Sequence, residues 1–126
     1  MSTSVVSAEV ARALEELELA FPGRLSIEAQ EPAGTVVRIR GVELSGRWSA
    51  ASAELWFAIP FHYPDAAIYP YYVVGATPTA AVGGLQPVNW RGMAVTQVSL
   101  RHNTWDPTCD TAVGSVLQTK AWLCAS

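Results

Sequence analysis

Three observations predict an α+β fold. A helical stripe opens the chain, short β-type stretches separated by turns follow it, and a second helical stretch lies near the end. Helices gathered on one face or end of an antiparallel sheet satisfy that order. At 126 residues the chain is expected to be one domain, covering 1–126, with no repeats and no linker.

The first helix rests on Val6, Val10, Leu14, Leu17 and Phe21, which recur at intervals of four, four, three and four. That spacing puts them on one helical face. Ser4 or Ser7 can cap its start, and Pro22-Gly23 stops it. Arg24 to Ala29 then alternates Leu25 and Ile27 with polar residues. Pro32-Ala33-Gly34 turns the chain, and Thr35 to Val42 is rich in β-branched residues, with Val37 and Ile39 on one face. Ser45-Gly46 breaks that stretch, and Glu54 to Ile59 is a third strand. Three strands joined by short turns read as an antiparallel meander.

Pro60, Pro64, Pro70 and Pro78 interrupt the next segment, and Tyr63, Tyr69, Tyr71 and Tyr72 decorate it. Proline at this density forbids a central strand, so a proline-rich loop is expected, with Tyr71 to Val74 as a short further strand. Regular structure is hard to assign from Thr77 to Asn103, although Met93 to Leu100 alternates weakly. Trp105-Asp106-Pro107 marks a turn. Thr108 or Asp110 is a good helix cap, and Val113, Leu117 and Ala121 form an apolar stripe running to Leu123.

The bulk numbers exclude several classes. Half the residues are hydrophobic and 15% are charged, the opposite of a disordered chain. A net charge of −3 argues against a groove for nucleic-acid phosphates. No apolar run reaches the ~20 residues of a membrane helix, and the N-terminus lacks a basic segment followed by an apolar one. A cytoplasmic location is the expectation. Cys109 and Cys124 fall near opposite ends of the second helix, too far apart for a disulfide, which fits a reducing compartment. The two histidines and two cysteines show no metal-ligand spacing, so neither a metal nor a cofactor is expected. Trp48, Trp90, Tyr71 and Tyr72 cannot all be buried in so small a domain, and some of them should form an apolar binding face.

Two motifs carry a family resemblance. Phe57-Ala-Ile-Pro-Phe-His-Tyr-Pro-Asp-Ala-Ala-Ile-Tyr-Pro70 resembles the strand and Tyr-Pro turn of the ubiquitin-conjugating enzyme (UBC) fold. Trp105-Asp-Pro107, followed by Val113 to Leu123, is similar to that family's Trp-x-Pro and the helix after it. Both occur in the family's order behind a matching N-terminal helix, so the resemblance covers nearly the whole chain. It implies a UBC-like α+β domain lacking the usual extra C-terminal helices. It also implies a bacterial-type member, of a kind found beside ubiquitin-like proteins and activating enzymes, often in antiphage-defence operons.

The chain departs from the family at the site of chemistry. The His-Pro-Asn motif is missing; Leu85-Gln-Pro-Val-Asn89 keeps Pro87 and Asn89 without the histidine. The family's nucleophilic cysteine stands eight residues before the tryptophan, and Gln97 fills that position.

A carrier of a modifier's carboxyl needs a nucleophile and a donor for the developing oxyanion. Ser99 can carry an oxyester with His102 as base, Asn103 or Asn89 as oxyanion donor, and Arg101 holding a carboxylate. The plainer reading is a serine on a strand edge and a surface histidine. Cys109, just before a helix, is the alternative nucleophile, although Asp106 and Asp110 flank it and disfavour its thiolate. Cys124 reads as a small packing or terminal residue, and His62 as a structural histidine bonded to a backbone carbonyl.

The resemblance thus implies a carrier, an acyl transferase if active, that accepts a ubiquitin-like modifier from an ATP-dependent activating enzyme. Its partners would be that modifier and that enzyme, with no nucleic acid or membrane. The alternative is a non-catalytic UBC-like binding module for either partner. A small hydrolase using Ser99 and His102 is a third possibility.

Overall fold

Ser7 starts the first helix by capping it. Its Oγ accepts the Val10 amide at 3.2 Å, and α1 runs from Ala8 to Ala20. The computed structural model describes residues 7–32, 34–80, 83–99, 105, 106, 108 and 110–125. Val10, Ala13 and Leu17 are buried along α1, and Phe21 closes the stripe as its C-cap, donating its amide to the Leu17 carbonyl. Gly23 then takes a φ of 74°, which lets the chain reverse into the sheet.

The strands are β1 (Leu25–Glu31), β2 (Gly34–Glu43), β3 (Ser52–Pro60), β4 (Tyr71–Val74), β5 (Leu85–Trp90) and β6 (Met93–Val98). They form one sheet in the order β1-β2-β3-β4-β6-β5, and every neighbouring pair is antiparallel. The expected three-strand meander is there and continues into β4. Beyond it, a β5–β6 hairpin attaches by its second strand.

Arg91 and Gly92 make the hairpin turn with φ values of 54° and 78°. Positive φ at both central residues is the turn geometry that matches strand twist. β5 is the strand the sequence hid, because Pro87 argues against one. On the outer edge of a sheet a proline is tolerated, since its missing N–H faces no partner.

The core lies on one face of the sheet. Val37, Phe57, Tyr71 and Val98 stand in register across four strands, all fully buried. Ile39, Leu55 and Val73 form the next row. Fully burying such side chains contributes about 1.5–3 kcal/mol each. α1 and α2 (Ala112–Ala125) pack over this face.

α2 turns inward a side that only partly matches the one its apolar residues suggest. Ala112, Ser115, Val116, Thr119 and Leu123 are buried, while Leu117 is 49% exposed. The reason is Tyr71. Its hydroxyl is buried beneath the helix and meets Ser115 Oγ at 2.6 Å, and Thr119 Oγ1 donates to the Ser115 carbonyl. A buried hydroxyl must find a partner, so Ser115 and Thr119 face inward while Leu117 and Ala121 are exposed; Val113 still packs against the core and Leu123 is buried. The cap also differs from expectation. Thr111, not Thr108 or Asp110, accepts from the Gly114 amide at 3.1 Å.

Among the described residues no helix covers the opposite face of the sheet, yet Val36, Trp56 and Val95 are buried there. The β5–β6 hairpin bends over them. Trp90 stacks on Tyr72, with centroids 4.0 Å apart and planes 11° apart, and meets Trp56 edge-on at 6.0 Å. Arg91 reaches Glu31, at the end of the far edge strand. Five strand spacings across a flat sheet would separate those edges by about 24 Å, so the ion pair requires a strongly curled sheet.

Candidate functional site

β6 lies between β4 and β5, and Gln97 pairs with Tyr72 on one side and Gln86 on the other. Ser99 follows directly. Its amide donates to the Gly84 carbonyl at 2.7 Å, extending the hairpin ladder by one bond. Residues two apart on a strand share a face, so Gln97 and Ser99 project together. Gln97 Nε2 donates to Ser99 Oγ at 3.0 Å, and both side chains are half-buried.

This contact has chemical content. A serine hydroxyl has one proton to donate and two lone pairs to accept with. Gln97 uses one lone pair, so the Ser99 proton remains available to a base. Sequence reasoning placed Gln97 only as the residue where a family cysteine would stand. The i, i+2 spacing on a strand is the signal that links it to Ser99.

His102, Asn103, Arg101 and Cys109 lie outside the described residues. Asn89 does not join Ser99. It pairs with Ala94, five residues from Ser99, or about 17 Å along the strand. It also alternates onto the other face of the sheet from Gln97 and is exposed. Cys124 is a free, exposed thiol in the last turn of α2 and packs into no core. His62 is exposed as well. Its ring meets Phe61 edge-on at 5.6 Å, and its backbone carbonyl accepts from the Asp65 amide.

Of the aromatic residues expected on an open face, Tyr71 and Trp48 are in the core. Tyr72 and Trp90 are half-buried on the helix-free face, covering Trp56 and each other. Arg38 lies over the Trp56 ring and between the carboxylates of Glu28 and Glu54, at 3.2 and 3.5 Å.

The Tyr-Pro segment and the Trp-Asp segment, some forty residues apart, meet in space. Trp105 Nε1 donates to the Pro64 carbonyl at 2.7 Å, and the Trp105 ring lies 6.3 Å from that of Tyr63. The Tyr63 hydroxyl accepts the amide of Ala112, the first residue of α2, at 2.8 Å. A helix leaves its first amides without internal partners, and Tyr63 supplies one. Burial raises the Tyr63 hydroxyl above its ordinary pKa against the opposing pull of the Ala112 amide, and the negative charge of Glu16 raises it further.

Between these contacts the chain is knitted locally. Asp106 Oδ1 accepts from the amide and hydroxyl of Thr108, and Asp110 Oδ2 accepts the Asp106 amide at 2.7 Å. Both carboxylates that flank Cys109 in sequence thus serve the loop's own backbone.

No protein-family model, curated protein or solved structure matches the chain. Among the described residues no helix is long and apolar enough to cross a membrane.

Proposed function

We propose that this chain is a UBC-like carrier in a bacterial ubiquitin-like conjugation pathway. The observation that carries the reading is the docking of its two family-like motifs. Trp105 donates to Pro64, and Tyr63 accepts from the start of α2. Motifs that resemble a family in order also contact one another, as parts of one structural unit would.

In this reading Ser99 Oγ attacks the modifier's activated C-terminal carbonyl. The new C–O bond forms as the activating enzyme's thiolate leaves, and the serine proton passes to His102. Asn103 donates to the oxyanion, and Gln97 orients the nucleophile through its bond to Oγ. Cys109 is the alternative nucleophile, giving a thioester.

The test is incubation of the full chain with ATP, a ubiquitin-like modifier and its activating enzyme. The expected product is a covalent adduct cleaved by hydroxylamine. Its loss in Ser99→Ala, with resistance to mild thiol, identifies the oxyester. Its loss in Cys109→Ala alone moves the chemistry to the thiol.

One observation favours a second reading, a non-catalytic module that binds the modifier or the activating enzyme. Gln97 stands at the family's nucleophile position, in a strand paired on both sides. Stable capture of either protein with no adduct would select that reading.

A further inference from the structure

Leu19 is the most exposed large apolar side chain among the described residues, at 82%, and it lies off the buried stripe of α1. Beside it, α1 and the edge strand β1 enclose an open groove of about 560 Å³. Leu14 and Leu19 form one wall, Leu25 and Ile27 the other, and Ile27 is 47% exposed. Glu15 and Glu18 line the rim.

The charge around the groove is one-sided. The two charged residues that line it, Glu15 and Glu18, are both acidic. Glu18 accepts the Gly23 amide at 2.9 Å, which holds its carboxylate at the end of α1. Scattered apolar residues are ordinary on a surface, but four around one concavity under an acidic rim form a patch with a stated complement.

We infer that this groove docks a basic, amphipathic helical segment of a partner protein. The partner's leucine-like side chains would enter between Leu14, Leu19 and Ile27, and its lysines or arginines would face Glu15 and Glu18. Such a segment in a groove is a recurring recognition mode. The inference does not depend on the transfer chemistry proposed above.

The test uses the full chain and a labelled helical peptide of leucine and lysine about four turns long. A leucine–glutamate peptide of the same pattern is the comparison. The lysine peptide is expected to bind and to shift the methyl resonances of Leu14, Leu19 and Ile27, while the glutamate peptide does not bind. Leu19→Asp should weaken binding at least about ten-fold. Because Leu19 is exposed, that variant should keep the wild-type circular dichroism and melting temperature. Glu15→Gln should weaken binding, and Glu43→Gln, remote on β2, should not.

Equal loss in Glu43→Gln would mean diffuse charge attraction and overturn the inference. Undiminished binding by Leu19→Asp, or shifts centred on Trp90, would overturn it too. A concentration-dependent dimer that Leu19→Asp abolishes would make the occupant a second copy of this chain instead.

Discussion

Arg91 Nη1 lies 3.1 Å from Glu31 Oε2, which joins the tip of the β5–β6 hairpin to the last residue of β1. The two residues sit on opposite edge strands' turns, so this pair reports the curl of the whole sheet. Both side chains are substantially exposed, and exposed pairs of this kind contribute about 0–1 kcal/mol. Arg91→Ala should therefore cost less than about 1 kcal/mol in urea denaturation. Its clearer effect should be on tryptophan fluorescence, since Arg91 also lies over the Trp90 ring that shields Trp56. An unchanged spectrum would argue that the hairpin is held without the pair.

The hairpin turn and the β2–β3 contact make opposite demands on glycine. At Gly92 an added Cβ meets nothing within 4 Å, so the cost of Gly92→Ala comes from its φ of 78° and should be about 1–2 kcal/mol. At Gly34 the backbone has no positive φ, but a Cβ would fall 2.6 Å from the Ile59 carbonyl oxygen. Gly34→Ala must push two paired strands apart and should be the more destabilising of the two. Thermal melts of both variants give the ranking.

Tyr63→Phe keeps the ring beside Trp105 and strips the partner from the buried Ala112 amide. Leaving such a donor unsatisfied costs about 1–3 kcal/mol. Trp105→Phe removes the donor to Pro64 instead, and the carbonyl left behind is part-buried and can be rehydrated. A smaller loss, about 0.5–1.5 kcal/mol, is expected there. The double variant should lose less than the sum, because both bonds hold one contact. Strict additivity would show that the two motifs are energetically independent.

Alkaline pH should destabilise the protein through Tyr71. Burial raises this hydroxyl above its ordinary value of 10.0, while the Ser115 and Thr119 hydroxyls partly offset that and nearby Tyr63 adds to it. The folded state thus holds its proton where the unfolded chain releases it. This contribution is complete below pH 10 and falls as pH rises from there, by at most about 1.4 kcal/mol per pH unit. Tyr71→Phe should be less stable at pH 8, having lost the buried hydrogen bond between the Tyr71 and Ser115 hydroxyls, and should lose less between pH 10 and 11. Parallel slopes for the two proteins in that range would assign the alkaline loss elsewhere.

Much of the fold was legible because periodicity is a local property. The Val10–Leu17–Phe21 spacing placed α1, and the β-branched run at Val37 and Ile39 placed β2. β5 was not legible, because Pro87 forbids a central strand and nothing local says that a strand will lie at an edge. The inward face of α2 was read from Val113, Leu117 and Ala121 up to Leu123; Val113 and Leu123 do pack inward, but Leu117 and Ala121 are exposed and Ser115 and Thr119 are buried instead. The partner that decides it, Tyr71, lies more than forty residues away. At the candidate site, Ser99 was visible as a residue, but its bond to Gln97 appeared only once both stood on one strand.

The sequence alone determined an α+β fold, an N-terminal helix capped by serine, an antiparallel meander and a second helix near the end. Tertiary structure decided which of those apolar residues remain available to a partner. Tyr72 and Trp90, candidates for an open binding face, shield Trp56 and each other because the hairpin curls over the sheet. Leu19 and Ile27 stay exposed because α1 and β1 leave a groove between them. Composition fixes how much apolar surface a chain has, but only long-range packing fixes which part of it water still reaches.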